Sequence, residues 1–386
     1  EKVIWFRIIQ NCICNDNEVI PIWSKVLTKA PVDFVIKVAL ATLQFEAKDE
    51  IQFHISPINV AACVGSVDLY KQMMAKLVDM NPKNIFGNNH PIFVAAAGGQ
   101  FDIYKHMFWE LEDKNPARPD GTTPLYLAAQ NGHYEICKLT INNVDDKNPA
   151  TNDGVTAFYM AACQGHYQIC KLIIEYLDDK NPAMSNGVTP LLMAAKKGHY
   201  EVCKLIISNV DDKNPADNNG VTPLFMSAWN GHFETCKLII SNVDDKNPAN
   251  NDGLTPLYMA AGNDHFDICK LIIDNVNDKN PVMPYGFTPL YMAAQKGHYE
   301  ICKLIISNVD EKNPAIDDGA TPLHIAAEHG RYEICKLIIA SVDEKNPARQ
   351  DGVTPLHVAA ENGHSEIFKL IFESLGNNNK NPGTNR

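Results

Sequence analysis

Along most of this chain, apolar residues recur as two short helical runs per unit, followed by a polar stretch and a turn. Residues 286–318 give the plainest copy. Leu290, Met292, Ala293 and Ala294 mark a first helix of about two turns. Tyr299, Ile301, Cys302, Leu304, Ile305 and Ile306 mark a second, with Glu300 and Lys303 facing out. Thr288 is placed to N-cap the first helix, and Pro289 takes the first helical position, where no N–H is needed. Gly297 suits a left-handed stop, and Asn308 is expected to close the second helix in the same conformation. Residues 310–313 are polar, Pro314 holds Asn313 extended, and Asp318-Gly319 predicts a hairpin turn into the next unit.

The pattern repeats every 33 residues, at Gly121, Gly154, Gly187, Gly220, Gly253, Gly286, Gly319 and Gly352. Residues 121–386 therefore read as eight regular units, the last stopping inside its finger in a KNP stretch, which suggests a piece of a longer repeat protein. Residues 53–120 read as two atypical units, one around Pro57 to Ala62 with Gly65 and a better one around Pro91 to Ala96 with Gly99. Residues 1–52 fit a degenerate helical cap or worn first repeat, since a solenoid needs atypical ends; a separate small helical domain is the alternative. Two lapses stand out. Ala157 replaces the helix-starting proline, and Asp264 replaces the stop glycine, where Asp is among the residues best able to turn left-handed.

The combination TPLxxAAxxGHxEICKLI, a polar finger and a DG turn resembles the ankyrin repeat, in nine copies from about Asn88 onward. Thr321-Pro322-Leu323-His324 and Thr354-Pro355-Leu356-His357 carry that family's usual TPLH. Elsewhere its His is replaced by Tyr126, Tyr159, Leu192, Phe225, Tyr258 or Tyr291. The resemblance implies an all-α ankyrin-repeat solenoid of about 10 units, each a helix-turn-helix with a β-hairpin finger. It also implies a cupped surface of fingers and inner helices that holds a protein partner.

Composition narrows the chemistry. Net charge of −12 argues against a nucleic-acid partner, which needs a concentrated positive face. The DD and DE pairs before each KNP read as a solvated rim. No apolar stretch is long enough to span a membrane. Of 11 cysteines, Cys137, Cys170, Cys203, Cys236, Cys269, Cys302 and Cys335 share one position of the second helix. Neighbouring helices lie roughly 8–10 Å apart, too far for a disulfide or a shared metal, so these thiols read as small apolar side chains in a reducing compartment, with host cytosol or nucleus as the alternative for an effector. His133, His166, His199, His232, His265, His298 and His364, with Arg331 and Gln100 standing in, read as local helix-start hydrogen bonds. No nucleophile elbow, phosphate loop or HExxH motif is present, so neither an enzyme nor a cofactor or metal site is expected.

Function then falls on positions that vary between units. The residue after Gly, the TPLx residue and the first of the pair before GH are spaced four apart and share one helix face. Their most aromatic stretch holds Phe225, Trp229, Tyr258, Phe287 and Tyr291, with Tyr285 at the finger tip before the turn glycine, a further variable place; Tyr126 and Tyr159 extend the stripe, and Lys196, Lys197, Lys296 and Glu328 rim it. Aromatics inside a polar rim are the composition of a protein-binding hot spot. The TPLx aromatics have a second reading, as packing between neighbouring inner helices. The sequence supports a non-enzymatic scaffold or adaptor that binds a peptide segment or folded protein. The alternative is a regulatory or targeting segment of a larger enzyme or channel, or of a bacterial endosymbiont or pathogen effector acting on a host protein.

Overall fold

A computed structural model describes residues 59, 61–62, 65–77 and 90–376. The cap expected over residues 1–52 and the final finger from residue 377 lie outside the described residues, as does most of the atypical unit around Pro57. The described elements are α-helices, with one short 3-10 turn at Pro284–Gly286. The chain divides into two compact units, with the boundary between Ser185 and Asn186. In the first, helix Val67–Leu77 precedes the pairs Pro91–Gly98 with Phe101–Glu110, Pro124–Asn131 with Tyr134–Asn143, and Ala157–Gln164 with Tyr167–Ile174. In the second, six pairs follow, from Pro190–Lys197 with Tyr200–Ile207 to Pro355–Glu361 with Ser365–Gly376. Within each unit the first, inner helix of a pair packs on the next inner helix, and the outer helix on the next outer one.

The sequence of each inner-helix start leaves its backbone donors satisfied. Pro at N1 has no N–H to place. The N2 amide donates to an Asn ten residues upstream: Leu224 to Asn214 Oδ1, Leu257 to Asn247, Leu290 to Asn280 and Leu323 to Asn313, at 2.8–2.9 Å. The N3 amide donates to the Thr hydroxyl, as from Phe225 to Thr222 and Tyr291 to Thr288, both 3.2 Å. Ala157 keeps the arrangement without proline, because Thr156 still caps Tyr159 and Asn148 still caps Phe158.

The acidic pairs of the DDKNP stretch are exposed, as a solvated rim requires, and the stretch also makes specific bonds. Its second carboxylate accepts the Asn N–H two residues on, as Asp212 does from Asn214 and Asp245 from Asn247, both 3.0 Å. Its Lys folds back onto the end of the preceding outer helix: Lys147 donates to the Ile141 carbonyl, Lys180 to Ile174 and Lys213 to Ile207, at 2.6–3.1 Å. Those carbonyls are ones the helix leaves unpaired, and a cation at that end also meets the favourable end of the dipole. Asn308 does not turn left-handed. Its side-chain amide donates to the Leu304 carbonyl at 2.8–2.9 Å, as Asn209, Asn242 and Asn275 do one turn back in their own helices, so the side chain supplies the cap that a left-handed backbone would have given.

Each finger is a turn closed by a pair of backbone bonds, Ile316 N–H to Ala320 O and Gly319 N–H to Ile316 O, both 2.8 Å. It is too short to make a strand ladder; among the described residues a single isolated bridge, Ala150 with Thr156, marks the hairpin. Fingers are joined tip to tip, Asn251 N–H to Asn219 O, Asp317 N–H to Tyr285 O and Gln350 N–H to Asp318 O, each 3.0 Å; Pro284 stands at the donor position of its own finger and cannot make this bond.

Buried between the helices are the paired alanines and the Ile, Cys and Leu columns. Burying one Ile or Leu fully contributes about 1.5–3 kcal/mol, so the core comes mainly from these columns. Cys137, Cys170, Cys203, Cys236, Cys269, Cys302 and Cys335 are buried free thiols. Burial pushes the Cys203, Cys236, Cys302 and Cys335 thiols up to about 12, so they stay protonated and pack as apolar groups. Among the described residues no group of His, Cys, Asp or Glu could hold a metal, and no helix is long and apolar enough to cross a membrane.

Asn247→Ala leaves the Leu257 amide unpaired and is expected to cost about 1–2 kcal/mol locally. Hydrogen exchange at Leu257 should accelerate about tenfold, while Asp244→Ala on the exposed rim leaves that amide unchanged; equal rates in the two variants would remove the Asn cap.

Candidate protein-binding surface

The GH histidines hold one repeat to the one before. His166 Nε2 donates to the Gln130 carbonyl (3.1 Å), His232 to Lys196 (3.0 Å), His265 to Trp229 (3.1 Å), and His364 to Glu328 (3.0 Å). A carbonyl can only accept, so the proton sits on Nε2. The bond spans 36 residues and is not the local helix-start bond expected from sequence. Arg331 replaces His by reaching the Gln295 carbonyl with its guanidinium at 3.5 Å. The stop glycine serves the same contact: a Cβ on Gly231, at φ +78°, would lie 2.6 Å from His265 Cε1. Asp264, also left-handed at φ 62°, stands where the others have Gly and brings its carboxylate within 3.4 Å of His298 Nδ1.

These bonds fix the backbone of the variable stripe, because the carbonyls they hold belong to Trp229, Gly262, Gln295 and Glu328. The stripe's side chains divide by burial. Phe225 and Tyr291 are buried and leave the exposed surface. Phe225 packs with Leu192 and Met226 against Val188, Met193, Val221, Leu254 and Met259. Tyr126, Tyr159, Tyr258 and Phe287 are half-buried, and Lys196, Lys197, Lys296 and Glu328 are exposed. Trp229 is 45% exposed and Tyr285 73%. Trp229 rests edge-on against Phe225 at 6.0 Å, and Phe287 edge-on against Tyr291 at 5.3 Å, so the aromatic stretch resolves into two buried rings that each support a more exposed one. Tyr126 and Tyr159 lie in the first compact unit and the remaining site residues in the second.

Two exposed aromatics, Trp109 and Tyr176, are covered by cations, whereas Tyr332, Phe368 and Phe372 are not, among the described residues. Lys114 stands 5.6 Å over Trp109, and Lys147 5.6 Å over Tyr176. Among the described residues no Lys or Arg stands over Trp229, Tyr285 or Phe287 in the same way. Tyr285 also sits in a left-handed backbone, φ 66°, in a finger whose Val282 is 71% exposed. A bulky residue held at φ > 0 costs roughly 1–2 kcal/mol and marks a place where packing has not chosen the residue.

The next two fingers bring charges that the stripe pattern missed, because they lie before the turn glycine and not on the inner helix. Burial together with the nearby Asp318 and Glu328 carboxylates pushes the Tyr291 phenol up to about 12, with Arg349 opposing. Arg349 is itself paired with Asp351 at 2.7 Å. His324 belongs to the framework: Thr321 N–H donates to its Nδ1 (3.1 Å), and its Nε2 donates to Val353 O (3.2 Å). That is a capping box with His in the usual Glu position.

Helix pairs stacked through keyed glycines, with turns at their fingers, define a helical repeat array. A sequence profile described as ankyrin repeats, three copies long, matches residues 92–184, 176–248, 230–315 and 307–382, and the chain belongs to the ankyrin repeat family. Ankyrin repeats are generally protein–protein interaction modules, and such domains are typically non-catalytic. No curated protein matches the chain.

Burial lowers the His324 pKa below its ordinary 6.5, with Arg349 adding to the effect against the Val353 bond and the Asp318 and Asp351 carboxylates. Protonating Nδ1 would set an N–H against the Thr321 N–H. The unfolded chain takes up this proton more readily, so the stabilisation is present above about pH 6.5 and is lost as pH falls below it. His324→Tyr, which copies Tyr291, should show a smaller loss of Tm than wild type between about pH 7.5 and about pH 5; parallel curves would remove His324 as a source of acid sensitivity.

Proposed function

We propose that the second compact unit is a protein-interaction scaffold that holds a peptide segment or folded partner on the surface around Trp229, Tyr285 and Phe287. One observation carries this reading: Trp229 and Tyr285 remain 45% and 73% exposed, at positions where neighbouring repeats carry small or polar residues. Large aromatics with two rotatable bonds give contact area at low entropic cost, and such residues dominate binding energy when a partner desolvates them. Buried rings beneath Trp229 and Phe287 limit their freedom, which lowers the cost of binding further. The half-buried Tyr258 lies in the repeat between them, and Lys196, Lys197 and Lys296 supply a polar rim. The buried free thiols suit a reducing compartment, so the partner belongs there too.

Trp229→Ala with Phe287→Ala should weaken partner capture by about 2 kcal/mol or more, with helical content by circular dichroism unchanged. Capture from lysate that is equal for the double variant and wild type would place binding elsewhere.

A further inference from the structure

The finger at Pro284–Gly286 and the two that follow it form one continuous surface. Asp317 N–H is bonded to Tyr285 O at 3.0 Å, and Gln350 is bonded to Asp318 O through its backbone and to Asp317 O through its side chain. Three carboxylates, Asp317, Asp318 and Asp351, are exposed along this row, and Glu328 is exposed on the inner helix beneath it. The cation among them, Arg349, is already engaged by Asp351. Beside the carboxylates lie the exposed Tyr285 and Val282 and the half-buried Phe287 ring. At Trp109 and Tyr176 this chain covers an exposed ring with its own lysine, while Tyr332, Phe368 and Phe372 are exposed with neither a lysine over the ring nor this row of finger carboxylates. At Tyr285 and Phe287 the rings and the carboxylates are present and the covering cation is not, among the described residues.

We propose that this face takes an extended, arginine-bearing segment of a partner protein, with guanidinium groups against Tyr285 and Phe287 and paired to Asp318 and Glu328, and an apolar residue on Val282. A guanidinium meets a carboxylate through two parallel N–H donors and stacks on aromatic faces, so both halves of the surface are satisfied by one side chain. Lysine satisfies only the charge. The exposed carboxylates give modest energy singly, and their shared effect is to orient the segment along the finger row. This inference rests on the protein-binding reading above and names the chemistry of the partner.

The probe is a fluorescein-labelled ten-residue peptide alternating arginine with leucine and glycine, compared by anisotropy with the same peptide carrying citrulline, the neutral isostere, at each arginine. The arginine peptide should bind the whole chain at least about tenfold tighter. Asp318→Asn with Glu328→Gln should weaken it at least about fivefold, and Tyr285→Gly should weaken it while leaving the fold intact. Asp211→Asn with Asp244→Asn removes the same charge from the outer rim and should leave binding within about twofold, which separates this face from general attraction to an acidic protein. Equal binding of the citrulline peptide, no binding of the arginine peptide, or equal losses in the two double variants would overturn the proposal. The two readings fail separately. Capture that survives Trp229→Ala with Phe287→Ala removes the surface, whereas capture that needs those rings, together with equal arginine and citrulline binding, keeps the surface and removes the basic partner.

Discussion

Everything in each compact unit depends on how one repeat is keyed to the one before it. A helix pair of this length cannot bury its own apolar faces and is stable only when stacked. The key is a ring on a glycine: the GH histidine lies against the preceding left-handed glycine and donates to the carbonyl two residues before it. A Cβ at that glycine would clash with the ring, and a ring without a donor would leave the carbonyl unpaired. Arg331 shows which part is essential. It keeps the donor and the reach, loses the ring, and still holds Gln295 O.

Features that act inside one repeat were legible in the sequence. Threonine caps, the proline at N1, the stop glycines, the left-handed Asp264 and the buried cysteine column all follow from local conformation and helical period, and the structure has them. Two readings failed, each for a nameable reason. A residue that recurs every 33 positions can bond within its own repeat or to a neighbour, and periodicity cannot separate the two, so the histidines were read as local. The solvated-rim reading of the acidic pairs is compatible with their exposure but did not include the bond of the following Asn, which joins an amide ten residues on, a distance at which composition carries no signal. Asn308 was assigned a left-handed backbone by analogy with glycine caps, although its side chain can cap the helix end by itself.

The candidate surface was half legible, and the division is physical. Whether an aromatic at the TPLx position is covered depends on the side chains of adjacent inner helices. Phe225 belongs to a buried cluster with Leu192 and Met226, against which Leu254 and Met259 pack. Tyr258, in the same column one repeat on, keeps part of its ring exposed. Trp229, at the end of its helix, cannot be covered that way, because the corresponding neighbour is Gly262 and offers no side chain beside it. Sequence identifies the column, and only packing decides the occupant's exposure.

Tyr285 makes the same point from the side of strain. The other regular repeats have Asp or Asn before the turn glycine, and none of these residues takes a positive φ. Here Pro284 precedes the residue, and Tyr285 goes left-handed, with Gly286 N–H still closing onto Met283 O at 3.0 Å. The finger keeps its own turn and its bond to Asp317 but not the link to the preceding finger, because Pro284 stands at the donor position and has no N–H. An Asn in its place would keep those bonds with less strain, and a glycine with less still. The finger's hydrogen bonds do not call for tyrosine at this position, and 73% of its surface stays exposed, so the strained backbone accords with the proposed contact to a partner.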